Sequence, residues 1–149
     1  MNTAYIDEYW ANQYFDTRLN TRAWDTADSG DKPKALIMAT RIIDRLNFAG
    51  DKNSATQELQ FPRDTDTEIP DDIKIACAEI AIELLDGVDP NKEFEDLAIV
   101  THRYAEVVTT YDRSVVQEHL VAGVPSATAW RYLKPYIRDN RFVTVSRIS

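Results

Sequence analysis

The chain has 149 residues, 44% of them hydrophobic, and a formal net charge of −8. That fits one folded domain burying roughly two-thirds of the surface its unfolded chain exposes, and it argues against wholesale disorder. No window approaches the roughly 18 consecutive apolar residues of a membrane helix, and Met1–Glu8 lacks the basic region and apolar core of a signal peptide, so the chain is expected to stay in the cell that makes it.

The charge is uneven. Residues 1–129 hold 12 Lys/Arg against 24 Asp/Glu, whereas Arg131, Lys134, Arg138, Arg141 and Arg147 face Asp139 alone in residues 130–149. An acidic body repels nucleic acid and anionic membrane, while a basic tail seeks an acidic surface.

In chain order, Tyr5 to about Arg18 reads as a first helix. Asp7 is its N-cap, Glu8 lies in its first turn, and Ile6, Trp10 and Tyr14, widened by Tyr9 and Phe15, form a core-facing stripe. Leu19–Gly30 reads as a loop holding Trp24. Asp31 can then cap a second helix with Pro33 near its start, in which Leu36, Ala39, Ile43 and Leu46 recur at helical spacing and Gly50 follows as the stop.

Gln57–Arg63 reads as extended, because residues before Pro62 are pushed out of helical space. The acidic loop Asp64–Glu68 invites a calcium reading and fails it, since Ile69 and Ile75 stand where the turn glycine and the bidentate glutamate belong. Pro70, Asp71 and Asp72 open a third helix whose stripe is Ile73, Ala76, Cys77, Ile80, Ala81 and Leu84. Ala76 and Ala81 allow close approach to the second helix.

Residues 97–112 are rich in β-branched side chains and are expected to form an inserted hairpin or strand pair, although a helical period also fits. Gly123–Ser126 breaks the chain, Ser126 caps a short helix, and Pro135 limits it. From Arg141 onward, regular alternation reads as a strand with no local partner. The expected fold is mainly α: a bundle of about four helices over residues 1–138 with that β insertion, and an extended strand-like tail over 139–149.

Catalytic machinery is not legible. Four glycines never cluster, which excludes a phosphate-cradling loop, and Ser114 and Ser126 lack the context of a nucleophile elbow. Cys77 is the single cysteine, and His102 and His119 do not stand at zinc-ligand spacing, so neither a metal nor another cofactor is expected.

An ordered set of pieces remains: Tyr14-Phe15, Trp24, Ala35-Leu-Ile-x-Ala-Thr-x-x-Ile43-Asp44, Phe48-x-Gly50, Gln57-x-Leu-x-Phe-Pro-Arg63, Ile69-Pro70, Ile73-Lys-x-Ala76, Glu79-x-Ala81 and Leu133-x-Pro-Tyr136. This set resembles the head–tail connector (adaptor, or head-completion) proteins of tailed bacteriophages, some of which carry the label DnaT-like single-stranded-DNA-binding protein. The resemblance implies a non-enzymatic virion part, assembled in the host cytoplasm into a usually dodecameric ring beneath the portal protein. There it extends the DNA channel, lets DNA pass without specific binding, and meets the next tail or stopper component; no membrane is involved.

In that setting the tail becomes a docking strand, with Phe142, Val143, Val145 and Ile148 as anchors and Arg138, Arg141 and Arg147 meeting acidic groups. The rival expectation is a single-stranded-DNA-binding or replication-accessory module. It needs a basic groove interleaved with aromatic side chains.

Overall fold

A computed structural model describes residues 3–92, 95–96 and 118–138. Among the described residues the architecture is mainly helical: α1 Glu8–Phe15, α2 Arg22–Asp25, α3 Asp31–Asp44, α4 Asp71–Leu85, α5 Glu118–Val121 and α6 Ala127–Leu133, followed by a 3₁₀ turn, Lys134–Tyr136. The inserted hairpin expected at 97–112 and the tail at 139–149 lie outside the described residues.

α4 is the central element, packed by α3 on one side and α6 on another, with α1 and α2 also touching it. Ile73, Ala76, Cys77, Ala78, Ile80, Ala81 and Ile82 are all buried, so this helix is enclosed nearly all round rather than along one stripe. Its alanines and cysteine are the small residues that let two helices approach it closely. Trp24, Phe15, Ala39, Ile43, Phe48, Phe61, Val124, Ala129 and Leu133 complete the core.

Several helix ends follow from their sequence. The Asp7 carboxylate accepts the Trp10 N–H at 2.8 Å, and the Ser126 hydroxyl accepts that of Ala129 at 3.1 Å; both satisfy donors a helix start would otherwise leave orphaned. Pro70 stands as the N-cap of α4, with Asp71 and Asp72 in its first turn. Pro135 does not kink α6 but falls in the 3₁₀ turn that closes it.

Other expectations are corrected. α1 is shorter than Tyr5–Arg18, so Ile6 precedes it, and Tyr9 is 70% exposed instead of facing the core. Asp31 is the first residue of α3 and makes no cap; Gly30 holds that position. The Leu19–Gly30 loop contains α2, which drives Trp24 into the core, where its indole N–H donates to the Asn12 side chain at 2.8 Å. α3 stops before Gly50, which instead serves the following loop at φ +79, where the Asp64 carboxylate leaves no room for a Cβ. Gln57–Arg63 is a series of turns ending in a cis Phe61–Pro62 bond, not an extended run.

Candidate interaction surface

Two loops, 47–52 and 57–66, pack beside the C-terminal end of α3, and one side chain binds them together. Arg63 is buried, and its guanidinium is satisfied by carbonyls rather than by a carboxylate. Nε donates to Ala49 O at 3.1 Å, Nη1 to Gln60 O at 3.3 Å and Gln60 Oε1 at 2.9 Å, and Nη2 to Phe48 O and Gly50 O. The rigid fork of arginine suits this five-donor role; lysine could not fill it. Gln57 Nε2 adds bonds to Leu59 O and Pro62 O. The acidic loop joins the same lattice, because Asp64 accepts the Asp51 N–H at 3.0 Å and Asn53 Nδ2 donates to Asp66 O. No cluster of metal-ligating residues occurs among the described residues.

This lattice presents a short strip, Asn47–Ala49, to the segment that leads into the tail. Phe48 and Ile137 form an antiparallel bridge, flanked by Ala49 N–H to Tyr136 O and Arg138 N–H to Asn47 O, each 2.9 Å. Tyr136 also stacks edge-on against Phe61 and donates its hydroxyl to Asp72 at 3.0 Å. Burial, reinforced by that carboxylate, pushes its phenol up to about 12. Of the expected docking residues, Arg138 is described, exposed and at the end of this pairing; Arg141, Phe142, Val143, Val145, Arg147 and Ile148 lie outside the described residues.

Two more carboxylates lie where the sequence pattern concealed them, Glu79 buried and Asp44 half-buried. Glu79 lies 2% exposed within the apolar run of α4 and holds Arg18 as well as the Tyr14 hydroxyl at 2.6 Å. Asp44 accepts the Tyr5 hydroxyl and the Gln60 N–H at 3.4 Å, while Tyr5 Oη accepts the Phe61 N–H. Burial raises the Asp44 carboxyl above its ordinary value despite those bonds, and it raises both phenols. Cys77 is fully enclosed, and burial pushes its thiol up to about 11. A glutamate at the centre of an apolar stripe was the one visible sign of such a network, since a buried carboxylate requires a partner.

These side chains tie distant segments of the fold together and orient a surface. The family model described as "Putative DnaT-like ssDNA binding protein" matches residues 2–147. The chain belongs to that family. No curated protein and no solved structure matches it. The match spans nearly the whole chain.

Proposed function

We propose that the chain is an assembly part: a connector subunit that forms a ring beneath a phage portal and docks through its basic tail. The observation that carries this reading is the register at the tail root. Phe48 opposite Ile137 is a non-hydrogen-bonded pair, Asn47 with Arg138 is the hydrogen-bonded pair beside it, and the next bonds outward would need the Arg45 N–H. Arg45 N–H is already turned to Ile42 O at 3.4 Å, at the C-terminal end of α3. The strip Asn47–Ala49 thus offers the backbone beyond Arg138 no further bonds, and we read the strand patterning of residues 141–149 as suited to main-chain pairing with another chain. A sheet edge of the portal or of a neighbour would supply that pairing. The acidic balance of residues 1–129 suits a channel wall past which DNA moves without sticking.

The family description favours a second reading, direct binding of single-stranded DNA. Stacking platforms for bases need open aromatic faces, and among the described residues Tyr9 is the one aromatic classed as exposed, with Trp10, Tyr14, Trp130, Tyr132 and Tyr136 half-buried. A titration of labelled single-stranded oligonucleotide across salt concentrations, run beside co-sedimentation with the portal, separates the two. The connector reading expects portal binding and no salt-sensitive DNA binding. Tight binding that weakens steeply with salt, without portal association, would replace it by the DNA-binding reading.

A further inference from the structure

We infer that in the free chain the C-terminal segment 139–149 docks in a groove of its own body, between the start of α1 and the first half of α3, and leaves it for a partner; the inference rests on the docking role of the tail proposed above.

The groove opens between Ala4–Glu8 and α3 and has a volume of about 550 Å³, within the size range of ligand clefts. Its apolar lining runs from Tyr5, Ile6 and Leu36, which are buried, to Ala4, half-buried, and Pro33, exposed. The charged side chains of the lining are Asp7 and Glu8, with no lysine or arginine among them. Asp7 uses one carboxylate oxygen to cap α1, and the Glu8 carboxylate has no partner among the described residues. Of the lysines flanking Pro33, Lys32 lies over the Trp24 ring, 5.2 Å from its centre, and Lys34 is outside the lining.

Two ring contacts connect this groove to the root of the tail. Tyr5, on the lining, meets Phe61 edge-on with centroids 6.3 Å apart, and Phe61 meets Tyr136 at 5.7 Å. The direction agrees as well. Arg138 N–H binds Asn47 O in an antiparallel pairing, so the chain at Arg138 is heading back toward the end of α3. Leu36 stands eleven residues before Asn47, about 16 Å along a helix. Eleven residues follow Arg138 and can extend to about 36 Å, which brings the groove within reach of Val145, Arg147 and Ile148.

The chemistry of the segment matches the groove. Beyond Asp139 it holds Arg141 and Arg147 and no acidic side chain. In an extended chain Val143, Val145 and Arg147 share one face, an apolar pair followed by a cation, which complements an apolar lining that ends in carboxylates. Tethering favours the chain's own groove over that of another copy, because a short linker holds the segment at an effective concentration on the order of millimolar. A strand-patterned segment left open invites pairing between free copies. Held against its own body, the tail is withheld from other chains until a partner offers it a sheet edge.

The test is paramagnetic broadening of amide resonances in the isotope-labelled full-length chain, with a nitroxide on Ser149→Cys; Cys77 is buried, so position 149 takes the label. In dilute protein the Ala4 and Glu8 amides should lose most of their intensity. The effect should fall several-fold with Glu8→Arg, return when Arg147→Glu is added, and vanish when the portal is bound. Sharp Ala4 and Glu8 amides would overturn the inference, as would broadening indifferent to both charge changes. Broadening seen only between a nitroxide-bearing copy and a separate isotope-labelled copy would overturn it too, since the tail would then dock between copies. A docked tail in a chain that never joins the portal would keep this contact and remove the connector reading; rings on the portal from a chain whose groove is never occupied would do the reverse.

Discussion

Arg18 and Glu79 meet fork to fork: Nε lies 2.8 Å from one carboxylate oxygen, and Nη2 lies 2.9 Å from the other. The carboxylate sits inside α4, whereas the arginine side chain reaches in from the surface and is 27% exposed. Through this pair the turn after α1 is fixed to the centre of the core. The pair is worth most as a device of geometry, because desolvation offsets much of the attraction between buried charges.

Removing one partner should be costly in a graded way. Arg18→Met leaves a buried carboxylate with the Tyr14 hydroxyl as its remaining strong donor and should cost about 3 kcal/mol or more. Glu79→Ala removes the charge along with the contact and should cost less. The double change Arg18→Met with Glu79→Leu should recover part of the loss, since an apolar pair replaces an ionic one. Urea denaturation of the three variants checks the order.

Arg63→Lys should destabilise by roughly 2–4 kcal/mol, because a fork with five hydrogen bonds becomes a point charge and buried carbonyls lose their donors. Hydrogen exchange gives the sharper readout. The Ala49 and Arg138 amides, which hold the tail root, should exchange faster than in the parent chain, while amides within α4 change only with global stability.

The raised Asp44 carboxyl carries a pH signature. A carboxyl that binds its proton more tightly when folded favours the native state in acid, and that contribution is lost as pH rises from the unfolded value through the folded one. Asp44→Asn keeps an acceptor for the Tyr5 hydroxyl and abolishes the titration. Its stability relative to the parent should therefore improve as pH rises above 3.8 toward neutrality. Denaturation midpoints measured across that range test the sign, and a flat difference would contradict it.

Cys77, buried and with its thiol held at about 11, should resist aromatic disulfide reagents in the native state. Labelling should occur at the rate of global opening and accelerate together with unfolding in denaturant. Rapid labelling under native conditions would show that the α3–α4 packing opens locally.

The helical framework was legible in the sequence wherever a periodic apolar face met a recognisable cap. Asp7 and Ser126 cap as read, and the stripe of α4 lies in the core. The misreadings share a physical cause: contacts distant in sequence. Tyr9 fits the helical period of α1, but tertiary packing turns its face outward. The Gln57–Arg63 turns are dictated by the Arg63 fork, whose acceptors at 48–50 are more than ten residues away. Local pattern also could not supply the partner of Glu79, because Arg18 lies on a different element. At the candidate surface, the strip Asn47–Ala49 that pairs with Tyr136–Arg138 has no signature beyond its position after α3, and the tail expected from alternation and charge lies outside the described residues.

The most direct test of the connector account is negative-stain microscopy of the chain mixed with its portal, using the intact protein and a version cut after Asp139. Rings capping the portal with the intact chain, and bare portals with the shortened one, are the predicted result. If neither form joins the portal while single-stranded DNA is retarded on a gel, the account is wrong and the chain acts on DNA directly.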